Sequence, residues 1–214
     1  MSHSIIHRGL AKNNFKENTL KSFKYCFNKK YGIETDLHCT KDDIIICFHD
    51  FSLKRKFKTN KLVKNLNFDE INKISNKFGY YIPKLEELIK ISNNKRYLML
   101  EIKSYFTKKN LIQLINQTKK LKSFSITSFN EKNIKNLSLL KKNLNLGLCF
   151  ASTVPIRKII SKSKLKYVKI IVTEKKFLSS KKINLINKPI YFYTARGKKI
   201  RKKYKEKNLI FENL

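Results

Sequence analysis

The chain has 214 residues, of which 41% are hydrophobic and 12% aromatic, and it carries 49 Lys and Arg against 15 Asp and Glu, a formal net charge of +34. This hydrophobic content excludes a disordered chain despite the charge, and the length suits one sizeable core. No apolar run is long enough to cross a membrane as a helix, which excludes an integral helical membrane protein.

Nine short apolar runs predict β-strands along the chain. They are residues 4–7, 33–37, 44–48, 97–102, 124–127, 146–150, 167–172, 190–194 and 209–211. Amphipathic stretches that predict helices lie between most of these runs. The helix starts are indicated by the polar residues 17–19, by Asn67 with Glu70 in capping-box spacing, by Pro83 and Pro155, and by Thr107 and Asn130.

Repeated strand–helix alternation over about 200 residues predicts an α/β fold with a parallel sheet, best accommodated by a single (β/α)8 TIM barrel. Nine strands are one too many for eight barrel positions. Only the seven residues Leu37–Asp43 separate Asp36 from Ile44, too few for a helical crossover. We therefore expect a short hairpin near the second strand. No Gly-, Ser- or Pro-rich linker is present, so residues 1–214 are predicted to form one domain.

Ionisable residues follow four of the predicted strands. Glu34 and Asp36 are two apart and share a strand face, where two converging carboxylates call for a cation such as a divalent metal ion. The other strand ends carry His7 with Arg8, His49 with Asp50, and Glu101 with Lys103. Because strand carboxyl ends gather at one mouth of a barrel, we expect these side chains to form a metal, phosphate and acid–base set.

In order and spacing, residues 4–103 resemble the glycerophosphodiester phosphodiesterase family, and the resemblance fades toward the C-terminus. The segments that carry it are His7-Arg8-Gly9, Glu17-Asn18-Thr19 with Phe23, Glu34-Thr35-Asp36, Thr40-Lys41-Asp42, His49-Asp50, residues 82–88 (IPKLEEL), Leu100-Glu101-Ile102-Lys103, and the later Ser128-Phe129 pair. The sequence departs from the family pattern at Lys16, at Tyr193 and at its C-terminal end, residues 211–214. These departures put the shape of the alcohol pocket in question.

The resemblance implies metal-dependent hydrolysis of a glycerophosphodiester to glycerol 3-phosphate and an alcohol. His7 and His49 would be the catalytic acid–base pair, and Arg8 and Lys103 would bind the phosphate. One divalent cation, Mg²⁺ or Ca²⁺, would be held by Glu34, Asp36 and Glu101. Glu17 and Asn18 would order the loop beneath them. The residues leave open which histidine is the acid, and His38 is expected to lead into the turn rather than to join the site.

Two other functions stay open: a lysophospholipase D-type phosphodiesterase, and a non-catalytic basic protein. Residues 196–207 (RGKKIRKKYKEK) are basic enough to bind nucleic acid or an anionic membrane, yet they equally suit a solvated helix before the last strand. We expect a small-molecule diester as the partner rather than nucleic acid, with peripheral contact to an anionic membrane left open. The sequence does not determine the oligomeric state.

The cysteines and the N-terminus bear on location. Cys26, Cys39, Cys47 and Cys149 show no CxxC spacing and lie in apolar segments, which predicts reduced, buried thiols. The chain enters SIIHRG directly, without the basic and apolar regions of a signal peptide, and His3 is expected to belong to a disordered end. We therefore expect a cytoplasmic protein.

Overall fold

The computed structural model describes residues 4–212, in which eight parallel strands close into a barrel with helices outside it; residues 1–3, including His3, and residues 213–214 lie outside this description. The strands are β1 (Ser4–His7), β2 (Gly32–Cys39), β3 (Ile45–Cys47), β4 (Leu98–Ile102), β5 (Phe124–Ser128), β6 (Leu146–Phe150), β7 (Ile170–Glu174), β8 (Ile190–Ala195) and β9 (Asn208–Phe211). The helices are α1 (Leu20–Asn28), α2 (Lys54–Phe57), α3 (Phe68–Asn76), α4 (Leu85–Ser92), α5 (Lys108–Thr118), α6 (Glu131–Leu140), α7 (Ile156–Ser163) and α8 (Lys198–Lys203). The predicted TIM barrel is confirmed.

The ninth strand, β3, forms the predicted hairpin with β2. It runs antiparallel, with Cys39 opposite Ile45 and Leu37 opposite Cys47. On its carboxyl half, β2 pairs with β3 as well as with its barrel neighbour β4. The barrel itself closes through β1, which pairs with both β2 and β9. The surplus strand therefore lies outside the barrel, beside the carboxyl end of β2.

The helix starts follow the capping signals of the sequence. The Thr107 hydroxyl accepts a hydrogen bond from Asn110 N at 3.3 Å, and Asn130 Oδ1 accepts one from Lys132 N at 3.0 Å. These side chains satisfy amides that have no partner within the helix. The boundary of β7 differs from the prediction: the strand begins at Ile170 rather than residue 167, because Val168 N bonds Leu165 O at 3.1 Å in a turn.

Between β7 and β8 the chain forms two 3₁₀ segments, Lys175–Ser179 and Lys181–Leu185, in place of an α-helix. Between β3 and α4 it forms a small insertion with its own apolar core. That core includes Phe48, Phe57, Val63, Ile71 and Tyr80. The insertion follows the carboxyl ends of β2 and β3, so it forms one wall of the barrel mouth.

The barrel interior changes from apolar to charged along its axis. Buried apolar side chains, among them Ile5, Met99 and Val172, fill its middle, and the rings of Tyr97 and Tyr191 stack 6.1 Å apart. Gly32 makes room for this layer, since a Cβ there would lie 2.8 Å from Tyr97 O.

No helix among residues 4–212 is long and apolar enough to cross a membrane.

Gly9 is required by the turn that follows β1. Its φ is +68°, and an added Cβ would lie 2.4 Å from Ser22 Oγ and 2.9 Å from Phe23 Cδ1. We expect Gly9→Ala to destabilise the fold by about 2–4 kcal/mol, because backbone strain adds to a clash in the core. Gly79 is the matched control: its φ is +59°, and its nearest atom, Lys16 Nζ, would lie at 3.6 Å. Gly79→Ala should cost only about 1 kcal/mol, and equal losses in urea unfolding would contradict the steric argument.

Candidate active site

Strand register brings the charged residues of distant segments together. His7 on β1 lies beside Glu34 on β2, and Asp36 on β2 lies beside Glu101 on β4. In this register Glu34 is level with the last residue of β1, and Asp36 is level with the next-to-last residue of β4, so all four side chains lie toward the end of the barrel at which sites form. All the site residues expected from the sequence line one cavity of about 190 Å³: His7, Arg8, Glu34, Asp36, His49, Glu101 and Lys103.

Three carboxylates form the centre of the cavity. One oxygen from each of Glu34, Asp36 and Glu101 lies within 4.8 Å of the others. Glu34 is 3% exposed, and its Oε1 is buried without a hydrogen-bond partner. Hard oxygen donors at this spacing, one of them unsatisfied, fit a divalent cation such as Mg²⁺ or Ca²⁺.

The carboxyl pKa values show the cost of this clustering. Burial, followed by the charges of Asp36 and Glu101, raises the pKa of Glu34 well above its usual value. Burial and Asp36 raise the pKa of Glu101 to about 7. Burial also acts on Asp36, but Arg8 and Lys103 outweigh it and lower the pKa of that carboxyl. Like charges this close resist full ionisation until a cation joins them.

Two cations flank the carboxylates. Arg8 has a left-handed backbone with φ 56°, and its N–H donates to Glu34 Oε2 at 3.1 Å. Its Nε lies 3.1 Å from Asp36 Oδ2. Lys103 Nζ lies 2.7 Å from Glu101 Oε1 and 3.6 Å from Asp36 Oδ1. Burial opposes the charge of Lys103, but Glu101 and Asp36 overcome it and raise its pKa. Both cations are therefore held ready for an anion at the mouth.

The pKa values of both histidines lie below the ordinary value of an imidazole. Burial, followed by the charge of Arg8, lowers the pKa of His7 to about 4, and its Nε2 lies 3.9 Å from Glu34 Oε2. Burial also lowers the pKa of His49, whose Nδ1 lies 2.7 Å from Asp50 Oδ1. Burial acts to raise the pKa of Asp50, but hydrogen bonds from Arg55 and His49 outweigh burial, and the net result is a lowered pKa. An ionised carboxylate only accepts hydrogen bonds, so Nδ1 of His49 carries the proton and Nε2 is free to accept one.

Asp50 belongs to a positioning network that the sequence did not reveal. Arg55 Nε donates to Asp50 Oδ2 at 2.6 Å, and Arg55 Nη2 donates to Glu17 Oε1 at 2.8 Å. The adjacency of Asp50 to His49 was the available signal. No sequence signal pointed to Arg55, because it lies on a helix of the insertion that no motif marks and reaches the mouth only through the folding of that insertion. The network ties α2 of the insertion to the histidine and to the loop before α1.

Two other polar side chains support the site from below. Asn18 Nδ2 donates to Asp36 Oδ2 at 3.1 Å, and Asn18 Oδ1 accepts from Thr35 Oγ1 at 2.7 Å. His38 is 2% exposed, and its Nε2 lies 3.1 Å from His49 O. His38 does not line the cavity, as expected, but β2 extends through it, so it supports the His49 backbone rather than leading into the turn.

The barrel and its charged mouth define a TIM-barrel protein with a carboxylate cluster at the carboxyl ends of its strands. The model of the glycerophosphoryl diester phosphodiesterase family matches residues 7–204, so the chain belongs to that family. A glycerophosphodiester phosphodiesterase of Caldanaerobacter subterraneus is 31% identical over 160 residues, which are 68% of this chain and 65% of that protein. One of Bacillus altitudinis is 30% identical over 110 residues, 48% of this chain and 44% of its own. The matched regions thus span less than two thirds of these relatives.

Solved structures share the fold over nearly the whole chain. A glycerophosphodiester phosphodiesterase of Thermotoga maritima has a TM-score of 0.82 at 18% identity, covering 99% of this chain and 95% of its own. A phosphodiesterase of Oleispira antarctica, in complex with the product sn-glycerol-3-phosphate, has a TM-score of 0.82 at 17% identity, covering 98% and 92%. At these identities the likeness establishes the fold.

Proposed function

We propose that this protein hydrolyses glycerophosphodiesters to glycerol 3-phosphate and an alcohol, using one divalent cation and two histidines. The observation that carries the proposal is the meeting of three carboxylates, two cations and two imidazoles at a single cavity. Family membership and the named activity of the relatives support the reaction class. A substrate of this class is small and carries an anionic phosphodiester group, which suits a cavity of about 190 Å³ with Arg8 and Lys103 in its wall.

Glu34, Asp36 and Glu101 would hold the cation, Mg²⁺ or Ca²⁺, which when bound neutralises charge on the phosphate oxygens. Arg8 and Lys103 bind the remaining anionic oxygens and stabilise the charge that builds up as the phosphorus–oxygen bond breaks. One of His7 and His49, as a neutral imidazole, takes a proton from the attacking oxygen, and the other, in its protonated form, gives a proton to the leaving alcohol oxygen. The Asp50 carboxylate stabilises the imidazolium form of His49, which helps His49 to hold a proton during the reaction.

Location in the cytoplasm is part of the same proposal. All four cysteines are free, and three of them are buried. Burial raises the pKa of Cys26 to about 11, which keeps that thiol protonated and unreactive. Such thiols suit a reducing compartment.

Asp50→Asn tests the positioning of His49. We expect kcat to fall at least about ten-fold with KM little changed, because an amide no longer fixes the ring tautomer. The basic limb of the pH–rate profile should move as well, which loss of packing alone would not cause. Glu86→Gln is the control, since Glu86 is an exposed carboxylate paired with Lys84 at 3.7 Å outside the cavity. An unchanged pH profile in Asp50→Asn would contradict the role.

Release of glycerol 3-phosphate from glycerophosphocholine and glycerophosphoethanolamine, with Mg²⁺, with Ca²⁺ and with EDTA, tests the function itself. We expect release with a divalent cation and none with EDTA. Release that is unaffected by EDTA would remove the cation from the proposal, and no release from any glycerophosphodiester would overturn the reaction.

One observation favours lysophospholipids as a second substrate class. An apolar groove of about 560 Å³ lies beside the mouth and is lined by Phe51, Leu62 and Tyr105, of which Phe51 and Tyr105 are 58% and 57% exposed. Such a groove has room for part of an acyl chain. Choline release from lysophosphatidylcholine that falls in Phe51→Ser and Tyr105→Ser, with glycerophosphocholine turnover unchanged, would assign this activity.

A further inference from the structure

At the end of the barrel opposite the mouth, nearly all of the charged loop residues are basic. Seven loops lead from a helical segment into the next barrel strand there, and we call them the basal face. They are residues 29–31, 93–97, 119–123, 141–145, 164–169, 186–189 and 204–207. Fifteen Lys or Arg lie in these loops against one acidic residue, Glu206. The other fourteen of the fifteen acidic residues lie elsewhere in the chain.

Most of these basic side chains are exposed to solvent. Thirteen of the fifteen are exposed, and only Arg96 and Lys188 are partly buried. Burial lowers the pKa of Lys188, and the nearby positive charge of Lys169 lowers it further. Helix dipoles favour lysine near helix carboxyl ends, but they act within the last turn and leave the remaining loop positions unexplained.

Two exposed leucines accompany the lysines. Leu139 and Leu185 are 75% and 69% exposed, the highest values among the large apolar side chains of residues 4–212 that are exposed. Leu139 lies in the last turn of α6, two residues before Lys141. Leu185 is the last residue of a 3₁₀ segment. The residues on either side of it, Asn184 and Ile186, line a small cavity together with Glu206 and Lys207 of the last basal loop. Both leucines therefore lie at the rim of the basal face.

From this arrangement we propose that the basal face docks the protein on an anionic membrane, with the lysines against lipid headgroups and Leu139 and Leu185 inserted among them. Fourteen of the fifteen basic residues are lysines, which act as point charges and lack the bidentate fork of arginine. None of the four tyrosines in these loops is exposed as a stacking platform for bases. These features favour a charged lipid surface over nucleic acid.

Docking in this orientation points the mouth away from the bilayer. Diesters in the water layer above the membrane then reach the cavity freely, whereas lipids of the same bilayer do not. The docked protein would therefore act on water-soluble products of lipid breakdown next to the surface that releases them. Membrane binding itself does not depend on the proposed reaction.

The test compares two quadruple variants of equal net charge. Lys120, Lys122, Lys142 and Lys166 of the basal face are changed to Gln in one, and Lys12, Lys54, Lys61 and Lys158 near the mouth in the other; all eight are exposed. Vesicles of phosphatidylcholine with about one third phosphatidylglycerol, in about 0.1 M NaCl, are sedimented with each protein. We expect the basal variant to bind at least about 100-fold more weakly, since each lysine near the surface contributes on the order of 1 kcal/mol. The mouth variant should lose less than about three-fold, because its lysines lie more than a Debye length from the lipid.

Equal losses in the two variants would reduce the effect to net charge and overturn the oriented docking. No binding by the wild type, or tighter binding to a short DNA duplex than to vesicles, would overturn the membrane proposal. In about 0.5 M NaCl, Leu139→Ser with Leu185→Ser should weaken the remaining binding several-fold, whereas Ile112→Ser, at an exposed apolar residue of α5, should not. An unchanged affinity in the double leucine variant would overturn the insertion of the leucines. Glycerol 3-phosphate release without vesicles, measured on all four variants, reports separately on the proposed reaction.

Discussion

Replacing His49 with Ala is expected to lower kcat for glycerol 3-phosphate release by about 10²–10⁴-fold, the usual contribution of a positioned acid–base group. His49 lines the cavity, its Nδ1 is fixed by Asp50 at 2.7 Å, and its Nε2 is therefore free to exchange a proton with the substrate. His7→Ala should cause a loss of similar size. Steady-state release of glycerol 3-phosphate from glycerophosphocholine with saturating cation measures both.

His38→Ala is the comparison variant for these losses. His38 is as deeply buried as a catalytic group, and burial lowers its pKa to about 4, yet its Nε2 contacts the backbone oxygen of His49 and its ring packs edge-on against Phe51 with the centroids 5.0 Å apart. We expect it to lose stability but to keep kcat within about ten-fold, because no proton moves through it. A loss in His38→Ala equal to that in His49→Ala would show that both act through the shape of the loop, which would contradict direct proton transfer by His49.

Glu101→Gln is expected to change activity and metal-free stability in opposite directions. Loss of a proposed ligand carboxylate should lower kcat/KM at least about 100-fold and remove the rise in Tm that we expect Mg²⁺ or Ca²⁺ to give the wild type. Without metal, the variant should be more stable than the wild type above pH 7 by roughly 1–3 kcal/mol, because a neutral amide ends the repulsion from Asp36 and Glu34. The amide oxygen still accepts from Lys103, which lies at 2.7 Å.

The pH dependence of this difference has a defined sign. Burial and Asp36 raise the pKa of Glu101 from 4.5 to about 7 in the folded protein, so the folded state binds the proton more tightly than the unfolded state does. The free energy of unfolding of the wild type therefore falls, from this group, as the pH rises from about 4.5 to 7. His7 and His38, with pKa values lowered to about 4, act in the opposite direction over part of this range.

Urea unfolding in EDTA at about pH 5 and pH 8 separates these contributions, since both histidines are present in both proteins. The stability difference between Glu101→Gln and the wild type should grow with pH. A difference that is constant with pH, or a Tm that still rises with cation in the variant, would contradict the assignment of Glu101 to a charged ligand cluster.

The sequence by itself determined the order of the barrel strands, the hairpin and the composition of the mouth. Alternating apolar runs and caps are local signals, and they placed Thr107 and Asn130 at true helix starts. The seven residues Leu37–Asp43 allowed only a hairpin, because chain length limits the connection. The two-residue spacing of Glu34 and Asp36 placed both on one strand face, since side chains alternate along a strand.

Only the tertiary structure decided which side chains touch. The strand register set Asp36 beside Glu101. The folding of the insertion brought Arg55 into contact with Asp50 and with Glu17, although Arg55 and Glu17 are 38 residues apart in the sequence. The near absence of acidic residues from the seven loops of the basal face was likewise hidden in a chain that is lysine-rich throughout. Local patterns depend on neighbours within a few residues, whereas these contacts depend on where distant segments meet once the barrel closes, and a sequence read segment by segment carries no measure of that distance.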